Sequence, residues 1–147
     1  MNAIRNLLSD HEEVYKLFNQ YVDAGEEALQ KRQSIMEKVI QEITENARKE
    51  EEILFPAFQE KGGEEAEELV LEGTEEHRVA EFIMNRLKKT KPKDKNFDAR
   101  FKVLMELIKT HFAEEEREIF PQAKKALGAQ LNQLGKEMEA LDKEMKK

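Results

Sequence analysis

The chain has 147 residues, of which 32 are acidic and 25 are Lys or Arg, so its net charge is -7, and it contains neither Cys nor Trp. This length suits one domain, and a charged fraction of 39% with only 6 Gly and 3 Pro indicates long solvated helices and argues against a β-sandwich, which needs frequent turn residues. Without Cys the protein has no disulfide and no thiolate ligand, so any bound metal must be held by His, Asp or Glu.

The sequence also limits the location and the partners of the protein. No apolar run approaches the ~20 residues of a membrane span. The first apolar cluster, Ile4 to Leu8, is too short and too polar for a signal sequence. We therefore expect a cytoplasmic protein with no membrane contact. The acidic balance argues against nucleic acid as a partner, and we interpret the local basic patch from Lys88 to Lys95 as a loop.

Apolar residues at helical spacing predict four long helices separated by three breaks. The breaks are Ala24-Gly25, Lys61-Gly62-Gly63 and Lys91-Pro92-Lys93-Asp94. The apolar stripes run from Ile4 to Val22, from Ile35 to Ala57, from Ala66 to Leu87 and from Phe97 to Ile119. Such stripes are typical of bundle helices. Short links make consecutive helices antiparallel, so the predicted fold is all-α, an up-down-up-down four-helix bundle.

A weaker amphipathic pattern follows the bundle after Gly128 and includes Leu131, Leu134 and Met138. We assign residues 1–127 to the four-helix bundle and residues 128–147 to an extra C-terminal amphipathic helix. This helix either packs on the bundle or takes part in an oligomer contact. The sequence is compatible with a monomer or with a weak homo-oligomer.

The second and fourth predicted helices contain similar segments. Asn46-Ala-Arg-Lys-Glu50, followed by Ile53-Leu54-Phe55-Pro56, matches His111-Phe-Ala-Glu-Glu115, followed by Glu118-Ile119-Phe120-Pro121, at one constant offset, which we call the repeat offset. An offset only one residue longer separates His11 from His77. Two copies at this spacing indicate two similar helical hairpins related by a pseudo-twofold axis. Each Phe-Pro pair predicts a kink or an end of its helix.

Six polar residues interrupt the apolar stripes where a core side chain is expected. They are His11, Asn46, Glu50, His77, His111 and Glu115. At a rise of ~1.5 Å per residue they form one layer, about 20 Å from the loops, which we call the polar layer. Burying such groups unpaired costs several kcal/mol each, against a net stability of ~5 to 15 kcal/mol. A dinuclear metal centre would compensate them, and ligands without sulfur favour iron or manganese, with zinc possible.

Together these motifs resemble the hemerythrin-like HHE cation-binding domain family, from Ile4 to about Leu127. The resemblance implies a non-haem di-iron site in which Glu50 and Glu115 bridge the irons and the histidines cap them. It also implies binding of a small diatomic ligand, O2 or NO, or of peroxide, for sensing, storage or stress response.

Asn46 departs from the family pattern, which has His at the start of both His-x-x-x-Glu motifs. The implied ligand set puts His11 and Asn46 on one iron, and His77 and His111 on the other. In the hemerythrins proper a further His lies four residues after the one matched by His77. Here that position is Glu81, which could add an oxygen ligand. We therefore expect unequal occupancy of the two iron positions, and a mononuclear or metal-poor form stays open.

Three functions remain open from the sequence. The first is a metal-binding protein that binds a diatomic molecule or peroxide. The second is an enzyme that uses the same centre to act on peroxide or O2; no general acid beyond the ligands is identifiable. The third is a bundle with a degenerate metal site, for which Asn46 is the best argument. The acidic residues beside the motifs are interpreted as a solvated face; they are Glu51, Glu52, Glu114, Glu116 and Glu118.

Overall fold

The computed structural model describes residues 1–147, which are nearly all helical, with no strand. The α-helices are α1 (Ala3–Ala24), α2 (Leu29–Lys49), α3 (Phe55–Lys88), α4 (Lys95–Glu114), α5 (Phe120–Leu127) and α6 (Gln130–Met145). Two π-helical turns join α2 to α3 and α4 to α5, and they span Glu50–Leu54 and Glu115–Ile119. The predicted all-α fold, a four-helix bundle with an extra C-terminal helix, is confirmed.

Helix α3 consists of two helical segments that meet at Gly63. This residue has φ 75° and ψ -158°, a conformation that side chains with a Cβ rarely adopt. The bundle therefore has four long helices, which we call the first to fourth bundle helices; they cover residues 3–24, 29–62, 64–88 and 95–127. The first packs on the second, and the third packs on the fourth.

The two Phe-Pro pairs do not end their helices. Pro56 and Pro121 lie at the start of α3 and α5, immediately after a π-helical turn, where a missing N–H is tolerated. The N–H of Phe55 donates to the carbonyl oxygen of Glu50, five residues earlier. The equivalent bond joins Phe120 and Glu115. Both helices thus continue through a π turn that begins at a glutamate of the polar layer, as is frequent at functional sites.

The apolar core is divided into two clusters of buried residues. One has 18 members, which include Val14 on α1 and Ile108 on α4. The other has 16 members, which include Leu7 on α1 and Ile119 in the second π turn. His11 lies between Leu7 and Val14 in the chain, and Glu115 lies between Ile108 and Ile119. The polar layer therefore crosses the bundle between two well-packed apolar regions, which hold its helices in place.

Helix α6 packs mainly against α1 and adds Leu131, Leu134 and Met138 to the second apolar cluster. Gly135 lies directly against the backbone of Met1 and Asn2, and a Cβ at this position would overlap with the carbonyl oxygen of Met1. The C-terminal helix is therefore held close to the start of α1. In no helix does the structure combine the length and the apolar character that crossing a membrane requires.

Candidate metal centre

Four buried side chains from three bundle helices converge in the polar layer: Glu50, His77, His111 and Glu115. One nitrogen or oxygen atom of each lies within 4.8 Å of the corresponding atoms of the others. This span is close to the roughly 4.4 Å across an ion whose nitrogen and oxygen ligands lie about 2.2 Å away. The four side chains are therefore spaced to hold one metal ion after small shifts.

Three atoms of this cluster are buried and have no hydrogen-bond partner: Glu50 Oε2, His111 Nε2 and Glu115 Oε2. His111 Nε2 lies 3.5 Å from Glu115 Oε2, without the geometry of a hydrogen bond. An unsatisfied buried polar atom costs about 1–3 kcal/mol, and native proteins contain few of them. Carboxylate oxygens and an imidazole nitrogen are ligands for divalent cations such as iron, manganese and zinc. The residues present therefore fit a metal ion.

Each histidine of the polar layer is oriented by a carboxylate beside its Nδ1 atom. The pairs are His11 with Glu116 at 2.8 Å, His77 with Glu51 at 2.7 Å and His111 with Glu76 at 2.5 Å. In the neutral form with its proton on Nδ1, each ring would donate to its carboxylate and leave Nε2 free to bind a metal ion. Metal-binding histidines have this arrangement, which fixes the ring orientation and makes the ligand nitrogen more basic.

The orienting role of these carboxylates is not visible in the apolar pattern of the sequence. Glu116 is exposed, as expected for a solvated face, and Glu51 is half-buried, but each also accepts a hydrogen bond from a histidine. A signal was available, because each of them directly follows a glutamate of the polar layer, and the two are related by the repeat offset. Glu76 directly precedes His77.

The inward-facing nitrogen atoms connect the two hairpins. His11 Nε2 lies 3.1 Å from Glu115 Oε1, and His77 Nε2 lies 3.0 Å from Glu50 Oε1. Each of these histidines thus contacts the glutamate of the other hairpin, as the pseudo-twofold relation requires. Glu115 has His11 beside one oxygen and His111 beside the other. Its carboxylate therefore lies between two histidines of different hairpins.

Asn46 is equivalent to His111 in the second hairpin, and it makes one hydrogen bond of the same kind. Its Nδ2 donates to Asp10 Oδ2 at 3.0 Å, as His111 Nδ1 donates to Glu76. Asp10 and Glu76 are themselves equivalent, since each directly precedes a histidine of the polar layer. The amide therefore preserves the outer hydrogen bond but provides no imidazole nitrogen.

A buried lysine lies on the same side of the polar layer. Lys49 Nζ is 2.7 Å from Asp10 Oδ2, 3.0 Å from Asp142 Oδ1 on α6 and 2.8 Å from Asn6 Oδ1. The ammonium is thus paired with two carboxylates and hydrogen-bonded to the Asn6 amide, which makes its burial tolerable. The equivalent residue in the second hairpin is Glu114. A fixed positive charge therefore lies next to Asp10, on the side of the layer that carries His11 and Asn46.

Glu81 lies outside the cluster. Its side chain is 52% exposed and forms an ion pair of 2.5 Å with Arg78, three residues earlier on the third bundle helix. It lines the mouth of a cavity beside the polar layer. The structure thus brings Glu50, His77, His111 and Glu115 together, places His11 and Asn46 next to them, and leaves Glu81 at the surface.

Protons are distributed unequally among the buried groups. Burial lowers the pKa of His111, but the carboxylates of Glu115, Glu76 and Glu50 outweigh this effect and raise it to about 11. Burial raises the pKa of Glu50 well above its usual value, and the neighbouring charge of Glu115 adds to the increase. Burial also raises the pKa of Glu115, but its hydrogen bonds and the positive imidazole of His111 outweigh it and hold this pKa well below the usual value. Without an ion, protons on His111 and Glu50 therefore offset the charge of the cluster.

We expect the metal-free protein to lose stability as the pH rises above about 6.5. His111 has a folded pKa of about 11 against an ordinary value of 6.5, so its contribution is complete below pH 6.5 and is lost as the pH rises toward 11. A bound cation replaces these protons, because its ligands must be deprotonated. The free energy of unfolding, measured with urea at pH 6.5 and at pH 9, should therefore decrease less in the metal-loaded protein than in the metal-free protein. An equal loss in both forms, or none in the metal-free form, contradicts this expectation.

Comparison with known proteins gives two findings. The model of the hemerythrin HHE cation binding domain family matches residues 2–123. The fold is similar to the crystal structure of a hemerythrin HHE cation binding domain-containing protein from Mycobacterium kansasii, with a TM-score of 0.84 over 99% of this chain and 88% of that chain. The two sequences are 21% identical, so this likeness shows the fold alone. No curated protein matches the chain.

Proposed function

The chain belongs to the hemerythrin HHE cation-binding domain family, and from this premise we propose that it holds non-haem iron in its polar layer and binds a small ligand, O2, NO or peroxide, for sensing, storage or stress response. The observation that carries the proposal is that Glu50, His111 and Glu115 belong to one buried cluster of possible ligands and that each has a buried atom without a hydrogen-bond partner. When bound, iron supplies Lewis-acid and redox chemistry that side chains lack.

The proposed ligands divide into two groups. Glu50, His77, His111 and Glu115 would hold one ion. A second ion would lie beside His11 and share the two glutamates, with the Asn46 amide as a weak ligand at most. We propose that the first position fills before the second, because the second has one imidazole fewer.

Aromatic rings shield the proposed site from water. Phe112 stacks on His11 with ring centroids 3.7 Å apart, and Phe120 lies on the same histidine at 5.6 Å. Phe55 stacks on His77 at 5.8 Å. These rings keep the imidazoles in one orientation and cover the faces on which they stack. Apolar groups around a metal site restrict solvent access and control the properties of a bound ion.

The proposal is tested with protein reconstituted with iron under anaerobic conditions and then exposed to O2, NO or hydrogen peroxide. We expect at least one equivalent of iron and a reversible, stoichiometric change in the optical spectrum with one of these ligands. Steady turnover of peroxide would instead favour an enzyme. Less than about a tenth of an equivalent of iron, manganese or zinc after reconstitution would support a degenerate site.

A further inference from the structure

The two hairpins differ in how they cover their equivalent histidines. Phe112 stacks on His11 with ring centroids 3.7 Å apart and an interplanar angle of 9°. The repeat offset places Ala47 at the position equivalent to Phe112. His77, the equivalent of His11, therefore has only a methyl group where the other histidine has a stacked ring.

Two further positions around His77 have smaller or more flexible side chains than their equivalents. His11 and His77 are equivalent, so residues at the same distance after each of them can be compared. Val14 then corresponds to Ala80, and Phe18 corresponds to Met84. Val14 and Phe18 are fully buried in the larger apolar cluster. The first hairpin's histidine is thus surrounded by bulky side chains, whereas the second hairpin's histidine is not.

A cavity of about 280 Å³ occupies the space on the His77 side. Ala47, Ala80 and Met84 line it, together with His77. The remaining apolar walls are Ile43, Leu107, Ile108 and Phe112. The lining also includes exposed residues such as Glu52 and Glu81, so the cavity opens to solvent, and it extends inward as far as His77 and His111.

The mouth of the cavity offers no free charge for an anion. Arg48 pairs with Glu52 at 2.5 Å, and Arg78 pairs with both Glu51 and Glu81. Both guanidinium groups are therefore compensated by carboxylates. The carboxylates of Glu51 and Glu76 also face His77 and His111 as hydrogen-bond partners. Because the charged groups around the cavity are paired and part of its wall is apolar, the cavity favours an uncharged ligand.

We propose that this cavity binds a small uncharged aromatic molecule that stacks on His77 as Phe112 stacks on His11. An apolar cavity of about 150 Å³ is large enough for benzene, so about 280 Å³ holds one ring with a small substituent. Stacking on the imidazole adds a directional contact to the apolar burial. His77, His111 and Asn46 also line this cavity, so it adjoins the proposed metal position; binding of the aromatic ring needs no bound ion, whereas the proposed binding of O2, NO or peroxide does.

Fluorobenzene is a suitable probe, because it has one ring, carries no charge and does not ligate metals. Titration of the purified protein, followed by ¹⁹F NMR, should show saturable binding of one equivalent. Ala47→Phe introduces the ring that is missing beside His77, so it should weaken binding at least tenfold while the metal content stays unchanged. Ala113→Phe is the matched control, since Ala113 is exposed on the fourth bundle helix and should leave binding unchanged.

A second variant keeps the test decisive if Ala47→Phe does not fold. Met84→Phe restores the side chain of the equivalent Phe18 and narrows the cavity from the third bundle helix, so it should weaken fluorobenzene binding as well. The proposal is overturned if the unaltered protein shows no saturable binding up to the solubility of fluorobenzene, or if the folded variants bind it as well as the control does. Iron content measured in parallel shows whether the proposed metal site has failed instead.

Discussion

Glu115→Gln should empty the whole polar layer of metal. The carboxylate of Glu115 is at most 1% exposed and has His11 beside one oxygen and His111 beside the other. Both proposed ion positions therefore depend on it. The amide keeps the size of the side chain but removes one negative charge and one ligand oxygen. We expect metal content after reconstitution to fall below about a tenth of that of the unaltered protein, with both ions lost together.

The control for this prediction is Glu118→Gln. Glu118 is exposed in the same π-helical turn, and the substitution makes the same change in charge. Metal content measured by mass spectrometry should be unaffected in this variant, and circular dichroism should show equal helix content in both. If Glu115→Gln retained one full equivalent of metal, the two positions would be independent and Glu115 would not bridge them.

The arrangement of the bundle could be predicted because its signals are local. The apolar stripes determine which face of each helix is buried, and the glycines at the breaks allow the chain to reverse. The stripe from Ile35 to Ala57 was correctly treated as one helix. Its π turn could not be predicted in the same way, because a single wider turn leaves the surrounding periodicity nearly unchanged. Because the periodicity does not reveal this turn, the sequence predicts only that Pro56 marks a kink or an end of the helix.

The inner residues of the candidate site could be located for a similar reason, whereas their outer partners could not. A histidine or glutamate inside an apolar stripe is conspicuous in the sequence, as at His77 and Glu50. Glu51 is adjacent to Glu50, and helical periodicity turns adjacent side chains about 100° apart, toward the surface. Lys49 carried no signal either, because its acceptors come from α1 and α6, and such long-range ion pairs appear only after the helices are packed.

Asn46→His should raise both the metal content and the thermal stability of the protein. Asp10 already accepts the outer hydrogen bond that an imidazole needs at this position, as Glu76 does for His111. Asn46 also lines the cavity of about 280 Å³, so the larger ring has space without forcing the helices apart. A metal present at 100 times its dissociation constant stabilises the folded state by about 2.7 kcal/mol. We expect a gain of this order in the presence of iron.

The source of the gain is identified by measuring thermal unfolding with and without EDTA. Stabilisation through a bound ion must disappear with the chelator, whereas better packing would persist. Asn46→Ala is the control, because it removes the hydrogen bond to Asp10 and adds no ligand, so neither metal content nor metal-dependent stability should rise. Unchanged metal content and stability in Asn46→His would show that position 46 does not contribute a ligand.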